Sequence, residues 1–289
     1  MQLSPVELSA LADLACEAAH SAGALILESA AGGFTVQRKD GGDSLASQLV
    51  TEVDERSQER ILQVLAPSFE AHDLALLTEE RTDDGSRFEK DYYWCIDPLD
   101  GTLPFTRGIP GYAVAIALVS QNGRAEVGVV YDPVHGRLYR AVRGQGLAVD
   151  GLPWSRDSYS NSGELLKVYC DCGFADSADR ESRSRAMEAM ARRFGYRGVE
   201  LRIGGGAVSN VCRVLEDGPA VYYKLPKSVS GGGSIWDYAA TSCIYAEAGA
   251  YATDFNGKPL PLNQAGTTFM NRCGVCFTTE DKLSAALPF

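Results

Sequence analysis

Six consecutive residues, Asp97-Pro98-Leu99-Asp100-Gly101-Thr102, put two carboxylates, a constrained backbone and a hydroxyl into one short stretch. Asp97 and Asp100 are hard oxygen donors of the kind that hold Mg²⁺. Pro98 fixes one backbone angle and removes an N–H, which leaves the Leu99 carbonyl free to face a cation. Gly101 and Thr102 offer small residues whose N–H groups can reach phosphate oxygens, and the Thr102 hydroxyl can orient a water. Asp, Pro and Gly are also ordinary turn residues, so the segment taken alone reads equally as a tight turn.

Other acids carry the same ambiguity. Asp237 in Ser234-Ile235-Trp236-Asp237 and Asp54 in Thr51-Glu52-Val53-Asp54 each have the form of a helix-capping box. Glu79-Glu80 follows the apolar run 74–77, so it is either a strand end or a solvated acidic pair. The three histidines, His20, His72 and His135, are far apart with no paired spacing, which disfavours Zn²⁺ and leaves an oxygen-liganded cation.

The elements that must position these groups follow from pattern. Ser4-Pro5-Val6-Glu7 predicts a helix start, and Leu8, Leu11, Ala12, Ala15, Ala19 and Ala22 continue one apolar face to about residue 28. The polar, Gly-rich stretch 35–47 reads as a hairpin or loop. A second helix is expected from Thr51, carrying Ile61, Leu62 and Leu65 inward before Pro67. A buried strand over 92–96 is expected to end at Asp97-Pro98. Strands at 112–119, 126–131 and 138–142, punctuated by turns, predict an antiparallel meander. Beyond residue 165 the pattern alternates: strands at 166–170, 199–203 and 220–223, and helices at 183–194, 207–215 and 236–248. A boundary near 151–163, rich in Ser, Asn and Gly, divides the chain into halves 1–152 and 153–289 that form one unit.

Composition excludes several classes. The 289 residues are 45% hydrophobic and 22% charged, which is ordinary globular usage. A formal net charge of −11 leaves no broad basic face for nucleic acid. No uninterrupted apolar run reaches the roughly 18 residues of a membrane span, and no basic, then apolar, leader opens the chain. A cytoplasmic protein without membrane partners is the expectation. Most of the eight cysteines sit among apolar neighbours, and Cys273-Gly-Val-Cys276 falls in a strand-like stretch rather than a redox setting.

Taken in order, Lys39, 49–54 (Leu-Val-Thr-Glu-Val-Asp), Thr78-Glu79-Glu80, 94–102 (Trp-Cys-Ile-Asp-Pro-Leu-Asp-Gly-Thr) and 236–240 (Trp-Asp-Tyr-Ala-Ala) resemble the inositol monophosphatase-like superfamily of Mg²⁺-dependent phosphatases. The resemblance implies an α+β fold, a layered αβαβα sandwich with the site between its halves. It implies two or three Mg²⁺ held by Glu79, Asp97, the Leu99 carbonyl, Asp100 and Asp237. Glu79 and Thr102 would hold the attacking water, with Asp54 completing the acidic cluster. Gly101 and Thr102 would bind the phosphate, and Gly205, Gly206, Lys224 and Asp237 are further candidates for binding substrate. The reaction implied is phosphomonoester hydrolysis of a small phosphorylated metabolite, and a homodimer is an open expectation.

The chain departs from the family pattern in three places. Leu103-Pro104-Phe105 follows Asp-Gly-Thr, Thr78 stands where many members have Gly, and Lys224 falls where inositol-type members carry a hydroxyl-binding Glu. A Lys prefers an anion, and with Lys227, the glycines 231–233 and Gly204-Gly205-Gly206 it favours a second phosphate. The alternatives are an exposed Lys pair and a disordered insert. On this basis 3′-phosphoadenosine 5′-phosphate ranks ahead of inositol 1-phosphate, and fructose 1,6-bisphosphate after both. A phosphometabolite-binding regulator without catalysis is the non-enzyme alternative.

Overall fold

The computed structural model describes residues 2–38, 49–155 and 163–284. Lys39, most of the 35–47 stretch and residues 156–162 of the expected boundary lie outside the described residues. Helix α1 (Pro5–Gly32) opens with the expected capping box: the Ser4 N–H donates to Glu7 Oε2 at 2.7 Å, and the Glu7 N–H to Ser4 Oγ at 3.3 Å. It runs past residue 28. Although acids interrupt its apolar run, α1 is by length and composition alone apolar enough to cross a bilayer. Its Leu8, Leu11, Ala12, Ala15, Ala19 and Ala22 are instead buried in the core.

Strand β1 (Val36–Arg38) pairs antiparallel with β2 (Leu49–Thr51), which delivers the chain to helix α2 (Glu52–His72). The helix does not stop before Pro67. Pro67 is exposed and the carbonyl it would unpair belongs to Gln63, which also faces solvent, so water can take the place of the missing N–H. Buried Leu65 and Ser68 hold the last turns down, and the Trp94 indole donates to Ser68 Oγ at 2.9 Å.

Seven strands then form one sheet in chain order: β3 (Ala75–Thr78), β4 (Tyr92–Asp100), β5 (Ala113–Ser120), β6 (Ala125–Asp132), β7 (Arg137–Val142), β8 (Gly146–Val149) and β9 (Leu152–Pro153). Only the β3–β4 pair is parallel, so the predicted meander holds from β4 onward. Period-two alternation sends Trp94, Ile96, Val114, Ile116 and Leu118 to the face covered by α1 and α2. Tyr93, Cys95, Ala113, Ala115 and Ala117 face the opposite layer. A short helix α3 (Thr102–Thr106) follows β4.

The second sheet has five strands in the order β11 (Gly198–Ile203), β10 (Leu165–Cys170), β12 (Ala220–Lys224), β14 (Val275–Thr278), β13 (Tyr251–Thr253). Between the sheets lie α5 (Ala207–Glu216) and α6 (Ile235–Glu247), which share one core with both. Outside the second sheet, α4 (Arg180–Arg193) and α7 (Asp281–Ser284) cover Leu166, Val168 and Val221. The result is the layered αβαβα sandwich, an α+β fold. The first sheet is built from residues 75–153 and the second from 165–278, while α6 from the later part packs onto the first sheet.

Candidate metal centre

The acids converge because three elements end at one place. Strands β3 and β4 run parallel with Thr78 beside Ile96, so Glu79, just past the end of β3, comes level with Asp97 on β4. The Glu79 N–H donates to the Ile96 carbonyl at 3.2 Å and holds that register one residue further. Contrary to the expected turn, β4 continues through Asp97-Pro98-Leu99-Asp100, with the β5 ladder slipping between the two aspartates. That irregularity re-aims side chains, the usual consequence of a bulge beside a site. Ser57 Oγ donates to the Pro98 carbonyl at 2.7 Å, and the Leu99 N–H donates to Asp97 Oδ1 at 3.1 Å, so the segment is held from both sides.

Asp100 accepts the N–H groups of Ala207 at 3.1 Å and Val208 at 2.9 Å, which places its carboxylate on the amino end of α5. That approach depends on Gly206: a Cβ there would stand 2.4 Å from Asp100 Oδ2 and 2.7 Å from Gly101 Cα. The Gly206 N–H already donates to Gly111 O at 2.7 Å, and the Gly204 N–H to Cys170 O at 3.1 Å. This corrects the expectation of substrate-facing donors for Gly206; its part is clearance. Gly205 packs against Gly111, whose Cβ position would fall 2.4 Å from Gly205 Cα.

Asp237 sits in the first turn of α6 and accepts the Ser234 N–H at 2.5 Å. The helix reaches the site because Gly128 on β6 lets it lie directly on the sheet; a Cβ there would meet the Ala240 carbonyl at 2.2 Å. Carboxylate oxygens of Asp97, Asp100 and Asp237 then lie within 4.8 Å of one another. Asp54 caps α2 through Oδ2, accepting the Thr51 N–H at 2.7 Å, while its Oδ1 faces the Thr102 hydroxyl at 3.1 Å. The same hydroxyl lies 3.3 Å from the Leu99 carbonyl. Capping and site membership are therefore compatible, since a carboxylate has two oxygens to divide between them.

Lys224 stands elsewhere than a free cation would. Its Nζ is ion-paired with Asp171 Oδ2, and Asn210 Nδ2 donates to Asp171 Oδ1 at 3.2 Å. The glycine loop before α6 is also pinned. The Lys227 N–H donates to Asn271 O at 2.7 Å, the Met270 N–H to Gly233 O at 2.9 Å, and the Tyr238 hydroxyl to Gly232 O at 3.0 Å. Asp171 escaped sequence reading because an Asp after a strand looks like any strand-end cap. The two thiols of Cys273 and Cys276 point to different backbone acceptors, Met270 O and Leu283 O, and no redox pair forms.

The electrostatics need a counter-charge. At an effective dielectric of about 20, two unit charges 4.8 Å apart repel by about 3.5 kcal/mol. Three such pairs approach about 10 kcal/mol, the scale of a whole domain's stability. Burial, with Glu79, Asp100 and Asp237 beside it, holds Asp97 well above the usual carboxylate range. Burial and then Asp237 and Asp171 do the same to Asp100, and burial raises Asp237. Burial pushes Asp54 up to about 6 despite its hydrogen bonds to Thr51. Either protons or a cation must occupy such a cluster. Its donor set, oxygen throughout, fits a hard divalent ion.

The layered sandwich thus gathers Asp97, Asp100 and Asp237, oxygen donors all, where the end of β4 meets the starts of α5 and α6. A family model described as the inositol monophosphatase family matches residues 7–286, and the chain belongs to that family. It is 33% identical over 253 residues to the Nus factor SuhB of Pasteurella multocida, covering 86% of this chain and 87% of that one. Among solved structures it is similar to an inositol monophosphatase from Anabaena (Nostoc) sp. PCC 7120, at 26% identity and a TM-score of 0.67, covering 96% and 94% of the two chains. An IMPase/NADP phosphatase complexed with NADP and Ca²⁺ shares the fold, at 19% identity, a TM-score of 0.71 and coverage of 97% and 93%.

Proposed function

We propose that the chain is a Mg²⁺-dependent phosphomonoesterase acting on a small phosphorylated metabolite. The observation that carries this reading is the meeting of Asp97, Asp100 and Asp237, from the last four residues of one strand and a helix start, beside Gly101 and Thr102. Asp97, Asp100, Asp237, Glu79 and the Leu99 carbonyl would hold two or three ions. When bound, such ions acidify a water and neutralise phosphate charge.

The protein's own groups set the geometry. Because the Thr102 hydroxyl donates its hydrogen bond to Asp54 Oδ1, the Thr102 oxygen would keep its lone pairs free to accept from a water. A water donating to that oxygen and to Glu79 has its own lone pair left to face phosphorus. The Gly101 and Thr102 N–H groups would meet the phosphate oxygens at the turn into α3. Gly101, at φ 85° and packed against Gly111 and Tyr112, admits no side chain that would block them.

Lys224 no longer argues for a second phosphate, because Asp171 neutralises it. A monophosphate such as inositol 1-phosphate therefore moves level with 3′-phosphoadenosine 5′-phosphate, with fructose 1,6-bisphosphate behind. The test is phosphate release with Mg²⁺ from these three compounds. Release from at least one supports the reading, and release from none sinks it.

The relatives called Nus factors favour a second reading, in which the same scaffold meets a partner protein in transcription. Binding to purified transcription-complex proteins, retained by an Asp97→Asn variant, would support a role separate from hydrolysis. A phosphometabolite-binding regulator predicts instead tight substrate binding without turnover.

A further inference from the structure

We infer that a cavity at the edge of the second sheet, between β11 and α5, is a binding site for a phosphate group, brought either as inorganic phosphate or as a small phosphate monoester. The inference goes beyond the phosphatase reading and does not depend on it, because the site binds and performs no chemistry.

The topology makes the cavity. Strand β11 is the outer strand of its sheet and runs parallel to β10. The register sets Lys167 beside Glu200 and Tyr169 beside Arg202, which puts these four side chains on one face. Tyr169 belongs to the core between the sheets, so that face looks toward α5. On α5, Asn210 and Arg213 stand three residues apart, with Asp217 one turn further at the helix end, and so they share the face that looks back at the strands. Tyr169, Arg202, Asn210, Arg213 and Asp217 line a cavity of about 450 Å³. Its two guanidinium groups come from opposite walls, Arg202 from the strand and Arg213 from the helix.

The chemistry follows from which groups are already engaged. Asp217 Oδ1 accepts from the Lys167 ammonium at 2.5 Å and Oδ2 from the Tyr169 hydroxyl at 2.7 Å, with Arg202 Nε 3.8 Å from Oδ2. Arg202 Nη2 also pairs with Glu200 at 2.8 Å, but with side chains 46% and 39% exposed that pair is weak and open to exchange. Arg213 is half-buried and makes no hydrogen bond or ion pair among the described residues. The cations Lys167, Arg202 and Arg213 therefore outnumber the carboxylates Asp217 and Glu200, in a chain whose formal net charge is −11. Asn210 is 1% exposed; its Nδ2 donates to Asp171 Oδ1 at 3.2 Å, while its Oδ1 has no partner among the described residues. A buried acceptor without a donor is costly, and most such groups are met by a ligand, a water or an ion. An unpaired guanidinium and an orphaned acceptor in one cavity call for an anion that also carries an O–H. Hydrogen phosphate has both, and a phosphate monoester can supply the donor from a hydroxyl of its alcohol. A carboxylate at neutral pH has only the charge. Guanidinium forks match phosphate oxygens in geometry, and the cavity leaves room beyond the ion for an ester group.

The experiment is calorimetric titration of EDTA-stripped protein, at low salt, with inorganic phosphate and separately with glycerol 3-phosphate. Without metal the acids Asp97, Asp100 and Asp237 repel anions, so the metal centre takes no part. Saturable binding at one site per chain is expected, and the tighter of the two ligands identifies whether the free ion or an ester is the occupant. Arg213→Met and Arg202→Met should each weaken binding about ten- to a hundred-fold, as expected for a lost charge-assisted contact. Arg185→Met, on the exposed side of α4, should leave it unchanged. Phosphate should also raise Tm in the parent and in Arg185→Met but not in Arg213→Met, and the same melts show which variants fold. If Arg213→Met folds poorly, the half-exposed Arg202→Met carries the test. No saturable binding by the folded parent, or parent-like binding in a folded arginine variant of the cavity, overturns the inference. Neither result bears on phosphate release from the substrate panel, so the two readings fail separately.

Discussion

Replacing Gly206 by alanine isolates the contact that brings Asp100 to the amino end of α5. Gly206 has φ −84°, an ordinary value for any residue, so the substitution adds no backbone strain. What it adds is a methyl group 2.4 Å from Asp100 Oδ2, 2.7 Å from Asp100 Cγ and 2.7 Å from Gly101 Cα. Comfortable contact needs about 3.5 Å, so either the carboxylate or the helix must retreat by about 1 Å. Overpacking of this kind costs about 1–3 kcal/mol. For a chain of this size that corresponds to a fall in Tm of about 2–10 °C. The larger effect falls on function, since a displacement of about 1 Å in a catalytic group costs about 100-fold in rate. Thermal melts and Mg²⁺-dependent phosphate release, run on the same preparation, would show both. A Gly206→Ala protein that melts within about 1 °C of the parent and turns over within about twofold of it would refute the argument that this clearance sets the Asp100 position.

Other outcomes follow from the same geometry. In metal-free protein Asp54, raised from 3.8 to about 6, and Asp97 and Asp100, raised further by burial and mutual repulsion, make stability depend on pH. A folded pKa above the unfolded one stabilises below the unfolded value and is lost as pH rises through the folded value, so Tm in EDTA should fall from about pH 4 upward and Mg²⁺ should flatten the decline; a Tm that rises over this range contradicts the assignment. Thr102→Val removes the hydroxyl held by Asp54 and should lower kcat about 100-fold or more with little change in Tm. Cys273→Ser should leave turnover unaltered, because its thiol faces Met270 rather than a partner cysteine.

Much of the fold was legible because its elements carry local signals. The Ser4–Glu7 box, the apolar stripe of α1 and the alternation of β4 and β5 each specify type and face without tertiary help. The exceptions have physical reasons. Pro67 was read as a stop, yet Gln63, whose carbonyl it unpairs, is exposed and open to water. Asp97 to Asp100 were read as a turn, yet the neighbouring β5 captures both ends and absorbs the mismatch as a ladder slip. In the site, Asp54 and Asp237 were ambiguous between cap and cluster; Asp237 is both at once, while Asp54 caps α2 and reaches the Thr102 hydroxyl rather than the three clustered acids. Asp171 carried no signal, since its meaning lies in the register of β10 against β12 and in a partner 53 residues away. Gly206 was legible as a glycine before a helix but not as the clearance for Asp100, which only the packed structure supplies.

The central claim is that the Asp97, Asp100 and Asp237 cluster holds the cation on which phosphate hydrolysis depends. Its most direct test is phosphate release by EDTA-stripped protein titrated with Mg²⁺, run beside Asp97→Asn on the best substrate from the panel. The account predicts turnover that is absent without Mg²⁺, saturates as it is added, and is lost in Asp97→Asn while that variant still folds and, metal-free, melts no lower than the parent. Turnover that persists in EDTA, or that survives Asp97→Asn with an unchanged Mg²⁺ requirement, would contradict it.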